Sequence, residues 1–114
     1  MEDLKIEVLN SPAGSRIFKL NGPLTIRTLF DFQDAARQNT SQPVILDLSG
    51  VPYMDSAGLG CVISVFTSCQ REKRGFGIVG VADRIRTLFQ ITHVDDLLPC
   101  FASTDAAEVA VTKL

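Results

Sequence analysis

At 114 residues the chain has room for one domain, 1–114, and little else. With 46% hydrophobic and 21% charged residues it has an ordinary globular composition, and a chain of this length buries about two-thirds of its unfolded surface without a disulfide or metal staple. Eleven basic against thirteen acidic residues give a formal charge of -2, which excludes the basic stripe of a direct nucleic-acid binder, and no apolar run approaches the roughly 20 residues that cross a bilayer. The start Met1-Glu2-Asp3-Leu4-Lys5 carries acids where a signal peptide carries positive charge and an apolar stretch. A cytoplasmic protein without membrane insertion is expected.

Strand-like and helix-like stretches alternate along the chain. Lys5 to Leu9 and Arg16 to Leu20 alternate polar and apolar residues as half-buried strands do. The turn formers Asn10-Ser11-Pro12-Ala13-Gly14-Ser15 between them predict a hairpin. Gly22-Pro23 then breaks the sheet pattern. From Thr25 the apolar residues Ile26, Leu29, Phe30 and Ala36 recur at helical intervals, which predicts a helix ending near Asn39. Pro43 to Leu48 contains the run Val44-Ile45-Leu46 and reads as a strand covered on both faces.

A long helix is expected from Asp55-Ser56, with Leu59, Val62, Ile63, Phe66 and Cys69 forming one buried stripe. Arg71-Glu72-Lys73-Arg74 closes it. Cations there oppose the negative end of the helix dipole, and Gly75 suits the left-handed position that follows a helix. Phe76 to Val81 reads as a strand, and Ile85, Leu88 and Phe89 mark a short helix after Val81-Ala82. Leu97 to Phe101 predicts a last short strand. A final helix starts at Ser103 or Thr104, with Asp105 near its positive end. The expected fold is therefore α/β: a mixed sheet of four to five strands packed against about four helices.

Chemistry has few candidate sites. Cys61 and Cys69 fall in one helix about 12 Å apart along its axis, too far to pair. Cys100 stands alone, so the three thiols read as small apolar residues, with no metal site and no cofactor expected. Gly58-Leu59-Gly60 begins like a dinucleotide loop, but the third glycine would fall at Ile63. Ser56-Ala57-Gly58 resembles part of a nucleophile elbow, yet Met54 stands where that motif has glycine. His93, the one histidine, is 37 positions downstream of Ser56, and Asp47, Asp55, Asp95 and Asp96 show no acid/base spacing. No enzyme is expected.

One block remains: Asp55-Ser56-Ala57-Gly58-Leu59-Gly60, reached from the strand Val44-Ile45-Leu46-Asp47-Leu48-Ser49 through a turn. Either Asp55 or Ser56 can cap the helix by accepting from a free backbone N–H. Capping does not call for two glycines in the next four residues, each of which lowers helix propensity by up to about 1 kcal/mol. They leave the first turn bare for another molecule, and a bare helix N-terminus with a hydroxyl suits a phosphoryl group.

This block in this setting resembles the STAS domain of bacterial anti-sigma factor antagonists. The resemblance runs from about Lys5 to the last helix and takes in Gly75 and Leu88-Phe89-Gln90-Ile91-Thr92. It implies a single STAS domain that acts in partner switching. The unmodified form binds an anti-sigma factor that is also a serine kinase, and so releases a sigma factor. Phosphorylation of the motif serine, here Ser56, ends the binding, and a serine phosphatase resets the cycle. By matching position, Asp55, Ala57, Gly58 and Gly60 line the docking surface around Ser56. The alternative is a STAS scaffold in a signalling or membrane-transport assembly, with Ser56 only a cap.

Two positions depart from the family pattern. Thr25 stands where a carboxylate is common, and reads as a cap of the first helix. His93 replaces a glycine after the short helix; histidine tolerates the left-handed region better than most side chains and reads as a plain closing residue.

Overall fold

A computed structural model describes residues 3–38 and 41–112; Met1, Glu2 and the expected helix end near Asn39 lie outside them. The chain order is β1 (Lys5–Asn10), β2 (Arg16–Asn21), α1 (Leu29–Arg37), β3 (Val44–Gly50), α2 (Ser56–Arg71), β4 (Phe76–Val79), α3 (Asp83–Ile91), β5 (Cys100–Phe101) and α4 (Thr104–Val111). The hairpin forms as expected: β1 and β2 are antiparallel, with Ser11 Oγ accepting from the Ser15 N–H at 2.9 Å inside the turn. From β2 onward every pairing is parallel, and the five strands lie in sequence order.

Period-2 alternation divides the sheet into two faces. Phe18 and Leu20 of β2, Val44, Leu46 and Leu48 of β3, and Phe76 and Ile78 of β4 join the main core with Leu29 and Phe32 of α1, Leu59, Val62 and Phe66 of α2, and Ile85 and Phe89 of α3. Edge-to-face ring pairs Phe18–Phe32 and Phe66–Phe76 link sheet and helices at centroid distances of 6.1 and 5.3 Å. The opposite face is smaller: Ile45 and Val79 pack with Ala107 and Val111 of α4. Because Val44 and Leu46 point one way and Ile45 the other, the apolar run in β3 is covered on both sides, as its composition predicts.

The helix ends show where local rules hold and where they give way. His93 has φ +60 just after Thr92, the C-cap of α3, and the Val94 N–H returns to the Phe89 carbonyl at 2.9 Å. The left-handed closing role of His93 is thus observed. After α2, however, the left-handed residue is Lys73 at φ +59, with the Arg74 N–H on the Cys69 carbonyl at 2.8 Å. Gly75 serves a different need: a Cβ there would overlap the Val111 carbonyl oxygen and stand 2.7 Å from its carbon. The glycine lets the end of α4 approach the start of β4. Arg74, whose side chain is only 9% exposed, forks onto Glu72 and donates to the Gln42 carbonyl at 3.2 Å, so it closes the loop at the foot of α2. The final strand is also shorter than expected, because only Cys100 and Phe101 pair with β4.

At α1 the expected stripe is only half right. Leu29 and Phe32 are buried, but Ile26 and Phe30 face solvent. Thr25 opens the preceding turn through its carbonyl, which accepts from the N–H groups of Thr28 and Leu29. The N-cap position itself belongs to Thr28, not Thr25. Thr28 Oγ1 accepts from the Thr25 N–H at 2.9 Å and donates to the Pro23 carbonyl at 2.7 Å.

Candidate functional site

The block singled out in the sequence sits beyond the carboxyl end of β3, the end of a parallel sheet where connecting loops form clefts. Past the β2–β3 ladder, the segments that follow the two strands meet once more in an isolated parallel bridge between Leu24 and Met54. The Leu24 N–H donates to the Tyr53 carbonyl at 3.2 Å, and the Leu24 carbonyl accepts from the Asp55 N–H at 3.3 Å. The loop after β2 is thereby fixed against the turn that begins α2.

Asp55 decides the local chemistry. Its backbone is extended (φ -99, ψ -176), as an N-cap residue requires, and Oδ1 accepts from the Gly58 N–H at 2.8 Å. Oδ2 accepts from the N–H of Ile26, 29 positions away, at 3.0 Å. One carboxylate therefore caps α2 and clamps the β2–α1 loop to it. Ser56 is left as the first residue of the helix, exposed. Among the described residues its hydroxyl makes no hydrogen bond, and no acceptor reaches the N–H groups of Ser56 and Ala57. The hydroxyl is thus exposed beside unsatisfied N–H groups at the positive end of a 16-residue helix, where negative charge is electrostatically favoured.

The two glycines have different roles. Gly58 is buried, and a Cβ on it would overlap the Leu24 carbonyl oxygen and stand 2.8 Å from its carbon. It is bare so that the β2–α1 loop can close on α2, not to admit a second molecule. Gly60 is exposed, with nothing within 4 Å of the position a Cβ would take. Of the five motif positions named from the sequence, Ser56 and Gly60 are thus exposed, Asp55 and Ala57 half-buried, and Gly58 internal.

Residues 5–107 match the sequence model of the STAS domain family. The chain belongs to that family. An anti-sigma-B factor antagonist of Staphylococcus aureus is 32% identical over 83 residues, 70% of this chain and 77% of the relative. This places the STAS chain among the anti-sigma factor antagonists. Solved structures share its fold. An anti-sigma factor antagonist from Mycobacterium paratuberculosis superposes with a TM-score of 0.83 at 22% identity, covering 95% of this chain and 93% of that one. The unphosphorylated form of the anti-sigma factor antagonist SpoIIAA gives 0.77 at 16% identity, covering 96% and 98%.

Sequence reasoning missed part of this STAS surface. Ile26 and Tyr53, with Thr25, Arg27 and Asp55, line a concave pocket of about 350 Å³ between the β2–α1 loop and the β3–α2 turn. Spacing gave no decisive signal: Leu29, Phe32 and Ala36 form an i, i+3, i+7 stripe, but Ile26, Leu29 and Phe30 form an overlapping i, i+3, i+4 one, and the structure buries Leu29 and Phe32. The cysteines take no part. All three are free, Cys61 and Cys69 buried and Cys100 half-buried, and burial pushes each thiol up despite nearby arginines. No described helix is long and apolar enough to cross a membrane.

Proposed function

We propose that this protein is a partner-switching anti-sigma factor antagonist. Its unphosphorylated form binds an anti-sigma factor with serine kinase activity in the cytoplasm and frees a sigma factor. Phosphorylation of Ser56 ends that binding, and a serine phosphatase restores it. The observation that carries the reading is the division of labour at the helix start: Asp55 fills the cap, so the exposed Ser56 hydroxyl has no structural task.

The physics of the switch is local. A phosphate adds about -1.5 to -2 charges and three acceptor oxygens. The free N–H groups and the helix dipole tolerate it within the domain. A partner surface matched to a neutral hydroxyl does not, because burying an unpaired dianion costs several kcal/mol. Moving occupancy from nearly all bound to nearly all free takes about 5.5 kcal/mol of differential binding, within reach of one such group. No large rearrangement is needed, and the chain acts as a binding module and kinase substrate rather than as a catalyst.

The test uses wild type, Ser56→Ala and Ser56→Asp as parallel baits for the serine-kinase anti-sigma factors of the source organism, with ATP present or absent. Wild type should bind without ATP, acquire one phosphate at Ser56 with ATP, and then dissociate. Ser56→Ala should stay bound, and Ser56→Asp should bind weakly while keeping its circular dichroism spectrum. Equal binding by both variants would return Ser56 to a passive role and favour the scaffold.

A further inference from the structure

Ser56 supplies a switch but little adhesive surface. Around it, Ala57 and Gly60 offer a methyl group and bare backbone. Apolar area lies instead on the segment that Asp55 ties to the motif. The chain has seven phenylalanines. Phe18, Phe32, Phe66, Phe76 and Phe89 are buried and Phe101 is half-buried, whereas Phe30 is 57% exposed. Ile26, four residues earlier, is 55% exposed. Leu29 and Phe32 already supply this segment's contribution to the core, so neither exposed side chain serves packing. Large apolar groups gathered on one surface, unlike scattered ones, mark contact with another molecule.

Resting on the reading of Ser56 as the switch, we propose that Ile26 and Phe30 are the apolar anchors for the same anti-sigma factor kinase. Affinity is carried on the β2–α1 side, and control is exerted from α2. Continuity of the surface argues for a shared partner. The Ile26 N–H donates to Asp55 Oδ2 at 3.0 Å, while Oδ1 of the same carboxylate caps the helix that begins with Ser56. A stable protein interface covers roughly 800 Å² of each partner, a patch far wider than the first turn of α2. A patch of that width centred on Ser56 has room for Ile26, whose N–H is bonded to the residue before Ser56, and for Phe30, four residues on in the first turn of α1. Binding energy in such patches concentrates in a few large side chains near the centre, aromatic ones above all. The partner should present an apolar groove to Phe30 beside an uncharged recess for the serine hydroxyl.

The experiment titrates the full chain against each purified serine-kinase anti-sigma factor of the source organism, without ATP, by fluorescence anisotropy. The variants are Phe30→Ala, Ile26→Ala, Ser56→Asp and Val109→Ala; Val109 is exposed on α4, against the opposite face of the sheet. Phe30→Ala should weaken binding about tenfold or more, Ile26→Ala by a smaller factor, and Val109→Ala not measurably. Both anchor variants should melt with wild type, since neither residue packs in the core. Wild-type affinity in Phe30→Ala and Ile26→Ala, with binding lost only in Ser56→Asp, would overturn the anchors and leave the switch standing. Failure of wild type to bind any of these kinases would overturn the switch and the anchors with it.

Discussion

Two glycines separated by one residue should respond to alanine with opposite signs. At Gly60 the added methyl group meets open space, so the helix-propensity gain of up to about 1 kcal/mol is unopposed. At Gly58 the same gain is available, but the methyl group overlaps the Leu24 carbonyl. Van der Waals contact can be restored only by pushing the β2–α1 loop away from α2. That movement strains the hydrogen bonds between Leu24 and Tyr53, Leu24 and Asp55, and Ile26 and Asp55. Overpacking of this kind costs about 1–3 kcal/mol, and the loss spread over these hydrogen bonds adds about 1 kcal/mol in all, the worth of one such bond. Set against the propensity gain, Gly58→Ala should destabilise the domain by about 1–3 kcal/mol. At about 4 °C per kcal/mol for a domain of this size, its melting temperature should fall by roughly 4–12 °C while that of Gly60→Ala rises by up to about 4 °C. Differential scanning calorimetry with urea titration reads both. A Gly58→Ala protein as stable as Gly60→Ala would refute the close approach of loop and helix.

Other expectations follow from the same geometry. Asp55→Ala should cost about 1–2 kcal/mol in urea unfolding through loss of the cap, whereas Ser56→Ala should stay within about 0.5 kcal/mol of wild type; equal costs would mean that Ser56 shares the capping. Phe32→Ala should cost about 3–5 kcal/mol and Phe30→Ala almost nothing, a contrast that thermal melts detect and that helical spacing alone does not supply. Burial raises the three thiols in the folded state, so unfolded thiols, with pKa about 8.5, ionise first. Stability should be fully present below that value and decline as pH rises through the higher folded values. Urea midpoints at neutral pH and at about pH 10 check the sign, and Cys61 and Cys69 should resist alkylation at neutral pH until denaturant is added.

Much of the architecture is legible from neighbours in the sequence, since alternation and helical spacing report which face a residue takes within its own element. The hairpin, the doubly covered β3, the stripe of α2 and the closing role of His93 all follow from such local patterns. Ile26 and Phe30 did not, because two apolar faces overlap along this segment and only the sheet beneath decides which is covered. The ring of Phe18 meets Phe32, and that contact turns Phe30 outward. Gly75 was assigned to a helix end by its place after a basic cluster; its actual reason is α4, more than thirty residues later.

The motif itself lay open in the chain: Asp55-Ser56-Ala57-Gly58-Leu59-Gly60 after an apolar strand points to a STAS domain, the family that residues 5–107 match. What the sequence left undecided was which of Asp55 and Ser56 caps the helix, since both residue types accept the same N–H. Tertiary structure decided it by bringing the Ile26 N–H to the second oxygen of Asp55. A carboxylate has two acceptor atoms and a serine one, so only Asp55 can cap the helix and hold the loop together. Among the described residues the Ser56 hydroxyl makes no hydrogen bond, because that long-range bond fixed its neighbour in the structural role.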